Sequence, residues 1–254
     1  MMLRILFLLS LVLLVASFPL INNWLSNKSG KPTVDKETII AIVEEYISNY
    51  PQKVIDLLTK GQVRAENEEM SQNIKKYKSE LENTLYPSAG NKDSKIVFVE
   101  FFDYSCGYCK MMSEDMKQIV QDGKVHVIFR DFPILGESSL KAAKAALAVY
   151  MINPNKYIDF YYAALNHKQQ FNDESILSII KSIGIAEEDF KVSLAKNADA
   201  IDKMIQSTRE LAQNINIRGT PAIIVGDTFI GGAADISTLR SKIDMQKQAI
   251  ENNY

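Results

Sequence analysis

Hydrophobic and polar positions change their period several times along this chain. Residues 5–21 show no period: the run is apolar on every side, broken only by Ser10, Ser17 and Pro19, and Arg4 precedes it. A charge followed by such a run predicts a signal peptide or a single membrane anchor over residues 1–21. Residues 22–34 carry Asn, Ser, Gly, Lys and Pro32 without a period and predict a linker. From 35 to 86 apolar side chains return at helical spacing. Ile39, Val43, Tyr46 and Tyr50 make one stripe, Pro51 restarts the helix, and Val54, Ile55, Leu57 and Leu58 form a second cluster. Met70, Ile74, Tyr77, Leu81 and Leu85 then make a narrow seam among polar residues. Such a seam suits either self-association or a helix lying flat on its own domain. Residues 86–91 read as a second linker.

The pattern then shortens to that of a strand. Ile96-Val97-Phe98-Val99-Glu100-Phe101-Phe102 is rich in β-branched and aromatic residues and stops at the polar turn Asp103-Tyr104-Ser105. Cys106-Gly107-Tyr108-Cys109 follows and opens a helical pattern. A second strand, residues 124–130, makes a βαβ unit, which favours a parallel pair. From about 138 to 214 the pattern is helical, with stripes around Ala142, Phe160, Ile176, Phe190 and Ile201. A strand resumes after Thr220-Pro221. Proline opening a central strand is a conflict unless the strand begins there and the Thr220–Pro221 bond is cis. Gly226-Asp227 predicts a two-residue hairpin turn, and residues 237–250 a last helix.

Composition narrows the class. The 254 residues are 46% hydrophobic and 24% charged, enough for a large core, and the net charge of −2 gives no footprint for nucleic acid. The chain has two cysteines and two histidines. A zinc site needs about four ligands, so this pair with distant His126 and His167 makes a poor one, and no metal or cofactor is expected. Haem attachment would need histidine where Lys110 stands. Neither histidine has a companion motif, and both read as structural.

A redox role fits the cysteines better. The thiolate is the attacking species in disulfide exchange, and a helix N-terminus lowers a thiol pKa by presenting free N–H groups and partial positive charge. Cys106 sits at that start and is the expected nucleophile. Cys109, one turn inside, is the expected resolving thiol. A structural disulfide over three residues would close a tiny loop and stabilise little.

Two motifs, Phe101-Phe102-Asp103-Tyr104-Ser105-Cys106-Gly107-Tyr108-Cys109-Lys110 and Arg218-Gly219-Thr220-Pro221-Ala222, carry a resemblance to the DsbA-like family of periplasmic thiol-disulfide oxidoreductases. The resemblance implies an α/β thioredoxin fold over residues 92–254 with an all-helical insertion at about 138–214, preceded by a helical extension at 35–86. Some extended members oligomerise through that region. It implies that Thr220 and Pro221 form a loop facing the cysteines that binds substrate peptide, with Gly107 and Tyr108 also at the substrate surface. It implies that Glu100 is a buried acid serving Cys109; a carboxylate in an apolar strand is costly unless partnered or protonated. Expected partners are exported proteins with cysteines and a membrane redox partner; the expected compartment is the periplasm. Gly107-Tyr108 departs from the Pro-His of the prototype oxidase and resembles the isomerases. Three readings therefore stand: an oxidase, an isomerase or reductase working as an oligomer, and a membrane-anchored protein with a structural disulfide.

Overall fold

The protein is described by a computed structural model over residues 35–252. The expected signal or anchor and the first linker lie outside the described residues. Contacts divide the chain into two compact units, the first ending at Val63 and the second beginning at Arg64.

In the first unit, helix α1 (Lys36–Asn49) starts at Asp35, whose carboxylate accepts the Thr38 N–H at 2.7 Å. This is an ordinary N-cap. Helix α2 (Pro51–Lys76) begins at Pro51, where the missing N–H is one of the orphans anyway. No residue of α1 is buried. Ile39, Ile42, Val43, Tyr46, Leu57 and Leu58 all remain exposed, so the stripes read from the sequence are present but uncovered.

The second unit contains the end of α2, then α3 (Lys78–Leu81), β1 (Ser88–Gly90), β2 (Val97–Phe102), α4 (Gly107–Gln121) and β3 (His126–Asp131). Helices α5 (Glu137–Ile152), α6 (Tyr157–Leu165), α7 (Asp173–Ser182), α8 (Glu187–Lys196) and α9 (Ala198–Asn214) follow. The chain then returns through β4 (Ala222–Val225) and β5 (Thr228–Gly231) and ends in α10 (Ile236–Glu251). The sheet order is β1-β3-β2-β4-β5. β2 and β3 are parallel across the α4 crossover, as the βαβ pattern predicts, and the other pairs are antiparallel. Five α-helices and a 3-10 turn (Pro154–Lys156) lie between β3 and β4, with no strand among them.

Residues 86–91 are not a plain linker: they contribute β1 to the sheet edge. Three residues are too few to show an alternation, which hides the strand in the sequence. Gly90 makes the close approach work. It holds φ at +81°, and a Cβ there would stand 2.5 Å from the Val125 carbonyl oxygen.

Strand alternation sorts the core into two layers. Phe98 and Phe102 of β2 pack with Met112 and Met116 of α4, the inserted helices and Leu239 of α10. Val99 and Phe101 pack on the other side with Ile74, Leu81 and Leu211. Arg130 points to this second side. Its guanidinium lies 3.4 Å over the Tyr86 ring, and Nη2 donates to the Glu80 carbonyl. A buried cation there meets the carbonyl end of α3, which suits its charge.

Candidate active site

β2 is the central strand, hydrogen-bonded on both sides, and it delivers the turn 103–105 to the rim of the sheet. Asp103 holds that turn. Its carboxylate accepts the Ser105 N–H at 2.7 Å and, from the loop after β3, the Ile134 and Leu135 N–H groups at 2.8 and 3.0 Å. Three backbone donors satisfy a buried carboxyl group. In the sequence Asp103 reads only as a turn residue; what it ties together is 31 and 32 residues away.

Cys106 is the N-cap of α4, and Cys109 lies in its first turn. Both are free thiols. Cys106 is 6% exposed and Cys109 is fully buried. The Cys106 thiol donates to the Thr220 carbonyl at 3.2 Å, so the loop before β4 faces the cysteine pair. The Thr220–Pro221 bond is cis, as expected.

The two thiols are driven apart in acidity. The Cys109 thiol, above all, donates to the Cys106 sulfur; the Thr220 side chain and the backbone N–H groups of Cys109 and Tyr108 add to this. Together they outweigh burial and lower the Cys106 pKa to about 5. Such a thiol is ionised at neutral pH. Burial pushes Cys109 far the other way, and the hydrogen bond that its thiol gives the Cys106 sulfur adds to it. Cys109 must therefore receive a proton whenever it leaves a disulfide.

Glu100 is fully buried on β2, paired in register with Phe129 and Ile223, and is not an edge residue. The Tyr161 hydroxyl donates to Oε2 at 2.8 Å, while Oε1 has no partner. Burial, against the Tyr161 bond and with help from Asp131, raises its pKa to about 8. Glu100 thus carries a proton at neutral pH, close enough to Cys109 to affect its acidity. Nothing local in the sequence marks Tyr161, Tyr157 and Asp131 as site residues. The tyrosines look like core residues on an aromatic helix face, and Asp131 looks like the end of a strand.

Around this centre the surface is open. Tyr108 is 62% and Met111 73% exposed, and a Cβ on Gly107 would meet nothing within 4 Å. A cleft of about 580 Å³ runs along the 216–222 loop and β5, walled by Glu66, Glu69 and Met70 of α2. His167 packs on Phe171, and its carbonyl accepts the Lys110 ammonium at 2.6 Å. His126 lies buried in β3. Neither histidine faces the sulfurs through any hydrogen bond. Among the described residues no cluster of His, Cys, Asp and Glu could hold a metal ion.

Known proteins with these features agree. A family profile described as thioredoxin matches residues 82–245. The thiol-disulfide exchange protein alpha-DsbA2 from Wolbachia pipientis is 48% identical, with a TM-score of 0.70 over 72% of this chain and 98% of its own. The catalytic domain of Proteus mirabilis ScsC is 32% identical, with a TM-score of 0.63 over 69% of this chain and 97% of its own. Disulfide bond formation protein D of Bacillus subtilis is 28% identical over 171 residues, 63% of this chain and 76% of that protein. The fold, the cysteine pair at a helix start and these relatives converge: the chain belongs to the thioredoxin family and is a DsbA-like thiol-disulfide oxidoreductase.

Proposed function

We propose that this enzyme oxidises dithiols in exported proteins through Cys106 and Cys109. The observation that carries the reading is the acidity of Cys106. A thiolate stabilised in the reduced protein makes the disulfide form a stronger oxidant. In this reaction a substrate thiolate attacks Cys106 Sγ of the disulfide, and Cys109 leaves. The proton on Glu100 passes to the Cys109 sulfur. A second substrate thiolate then attacks the substrate sulfur of the mixed disulfide and releases Cys106 as a thiolate. Two electrons move from substrate to enzyme; of the two substrate protons one restores Glu100, whose own proton now sits on Cys109, and the other goes to solvent. Thr220 offers its carbonyl beside Cys106, where an extended substrate peptide can pair as a short strand. Gly107 and Tyr108 form the open shoulder that the peptide crosses. A membrane partner that accepts the electrons would reset the pair.

Export to the periplasm rests on the apolar run at 5–21. Among the described residues no helix is long and apolar enough to cross a membrane.

A second reading is favoured by one feature, the exposed apolar residues of α1 and the start of α2. Self-association through 35–86 would hold several cysteine pairs together, as suits an isomerase. Family membership sets aside the non-enzymatic reading. The deciding experiment measures the reduction potential and compares dithiol oxidation with repair of a scrambled disulfide substrate. A potential more oxidising than about −200 mV with fast dithiol oxidation supports the oxidase. A potential near the thioredoxin value of about −270 mV sinks it. Cys106→Ala that still exchanged disulfides would sink both readings.

A further inference from the structure

Glu100 does not sit alone. β2 and β3 run parallel in the register Glu100 with Phe129 and Phe102 with Asp131. Alternation puts Glu100, Phe102, Phe129 and Asp131 on one face, with Arg130 on the other. Against that face α6 sets two tyrosines one turn apart. Tyr161 donates to Glu100 Oε2 and Tyr157 to Asp131 Oδ2, both at 2.8 Å. The Phe129 ring lies between them, 4.7 Å from the Tyr161 ring and 5.7 Å from that of Tyr157. Each carboxylate has one oxygen without a partner, Glu100 Oε1 and Asp131 Oδ1.

The groups facing this pair can be named element by element. Cys109 comes from α4; Tyr157, Tyr161 and Tyr162 come from α6; Tyr104 and Asp103 come from the turn after β2. β4 contributes apolar Ile223 beside Glu100. None of these is a cation. Two buried carboxylates on one aromatic face, met only by neutral hydroxyl groups, resist ionising together.

We propose that Asp131 is a positioning residue for disulfide exchange: its charge, felt across the β2–β3 face, adds to burial in keeping the proton on Glu100 that Cys109 needs. The inference rests on the proposed role of Glu100 as the proton partner of Cys109. Asp131 ionises first and Glu100 retains its proton. Burial raises both groups, Asp131 to about 7 and Glu100 to about 8, which fits that order. The Tyr157 hydrogen bond favours charge on Asp131, so Tyr157 supports the same order. When Cys109 leaves the disulfide as a thiolate, the proton moves from Glu100 to sulfur, and no redox change occurs at either carboxylate.

The test uses the full-length reduced enzyme with carbon-labelled Asp and Glu carboxyls, titrated by NMR, alongside the pH profile of the exchange rate. Asp131→Asn keeps the shape and an acceptor for Tyr157. It should lower the Glu100 midpoint by about one pH unit and move the alkaline limb of the rate profile by the same amount. Tyr157→Phe should move both in the same direction by less, and it carries the test should Asp131→Asn not fold. Lost packing alone would lower the rate without moving a midpoint. An unchanged Glu100 midpoint in the folded variants overturns the role of Asp131. Glu100→Gln separates the underlying reading: a rate profile identical to wild type would remove Glu100 from the reaction, whatever Asp131 does.

Discussion

Replacing Cys106 with serine in the reduced enzyme tests the electrostatic core of the site. Serine keeps the size but does not ionise. The Cys106 pKa falls from 9.0 to about 5 on folding. A group depressed on folding stabilises the native state fully above its unfolded pKa, and that stabilisation is lost as pH falls through the folded value. Two pH units separate the folded pKa from neutrality, at about 1.4 kcal/mol each, so reduced wild type should gain about 2.7 kcal/mol at pH 7. The sulfur lies at the rim of the sheet beside open surface, and solvent screening makes that figure a ceiling; roughly half to all of it is expected. Glu100 and Asp131 titrate in the opposite sense but are present in both proteins, so the comparison cancels them to first order. The assay is urea unfolding of both proteins under reductant between about pH 4 and about pH 8, with the thiolate followed by ultraviolet absorbance. The stability difference should be near zero at the acid end and widen steadily above about pH 5. A difference independent of pH, or a thiolate that forms only near the ordinary thiol range, refutes the mechanism that makes the disulfide an oxidant.

Other consequences follow from the same contacts. Glu100→Gln should stabilise the protein at neutral pH, because a carboxyl raised from 4.5 to about 8 costs stability as pH rises through that window. The gain should reach up to about 3 kcal/mol at pH 7 and shrink towards about pH 5 in urea unfolding, while dithiol oxidation slows. Asp103→Ala strips the partner from three N–H groups that join the cysteine turn to the 134–135 loop. Thermal or urea unfolding should show a loss of about 2–4 kcal/mol, with proteolysis appearing first in that loop. Arg130→Met should weaken the seat of α3 by about 1–3 kcal/mol without changing the Cys106 titration, since the guanidinium lies on the opposite face of the sheet. Leu58→Lys on the exposed face of α2 should convert any oligomer to monomer in sedimentation, leaving simple dithiol oxidation intact.

Period and punctuation alone determined much of this molecule. The change from helical to strand spacing at residue 96, the cysteines at a strand-to-helix handover, the long helical pattern and the Thr-Pro restart are local signals. Backbone sterics and side-chain alternation write such signals into neighbouring residues. They located β2, the start of α4, the hairpin and the cis bond at residue 221. Glu100 was also legible, because a carboxylate in an apolar run is conspicuous whatever surrounds it. What the chain order concealed depends on packing between distant segments. β1 is too short to show a pattern and forms because Gly90 lets it approach β3. Asp103 is a common turn residue until the loop at 134–135 arrives above it. Asp131 and the tyrosines of α6 read as a strand end and a core stripe. Only the register of β2 against β3, and the seating of α6 on that face, bring two carboxylates onto one buried aromatic face. Position at the helix start already marked Cys106 as the thiolate and Cys109 as its partner; acidity is a property of surroundings, so only the tertiary structure decided how far apart the two are driven and which buried acid stands beside Cys109.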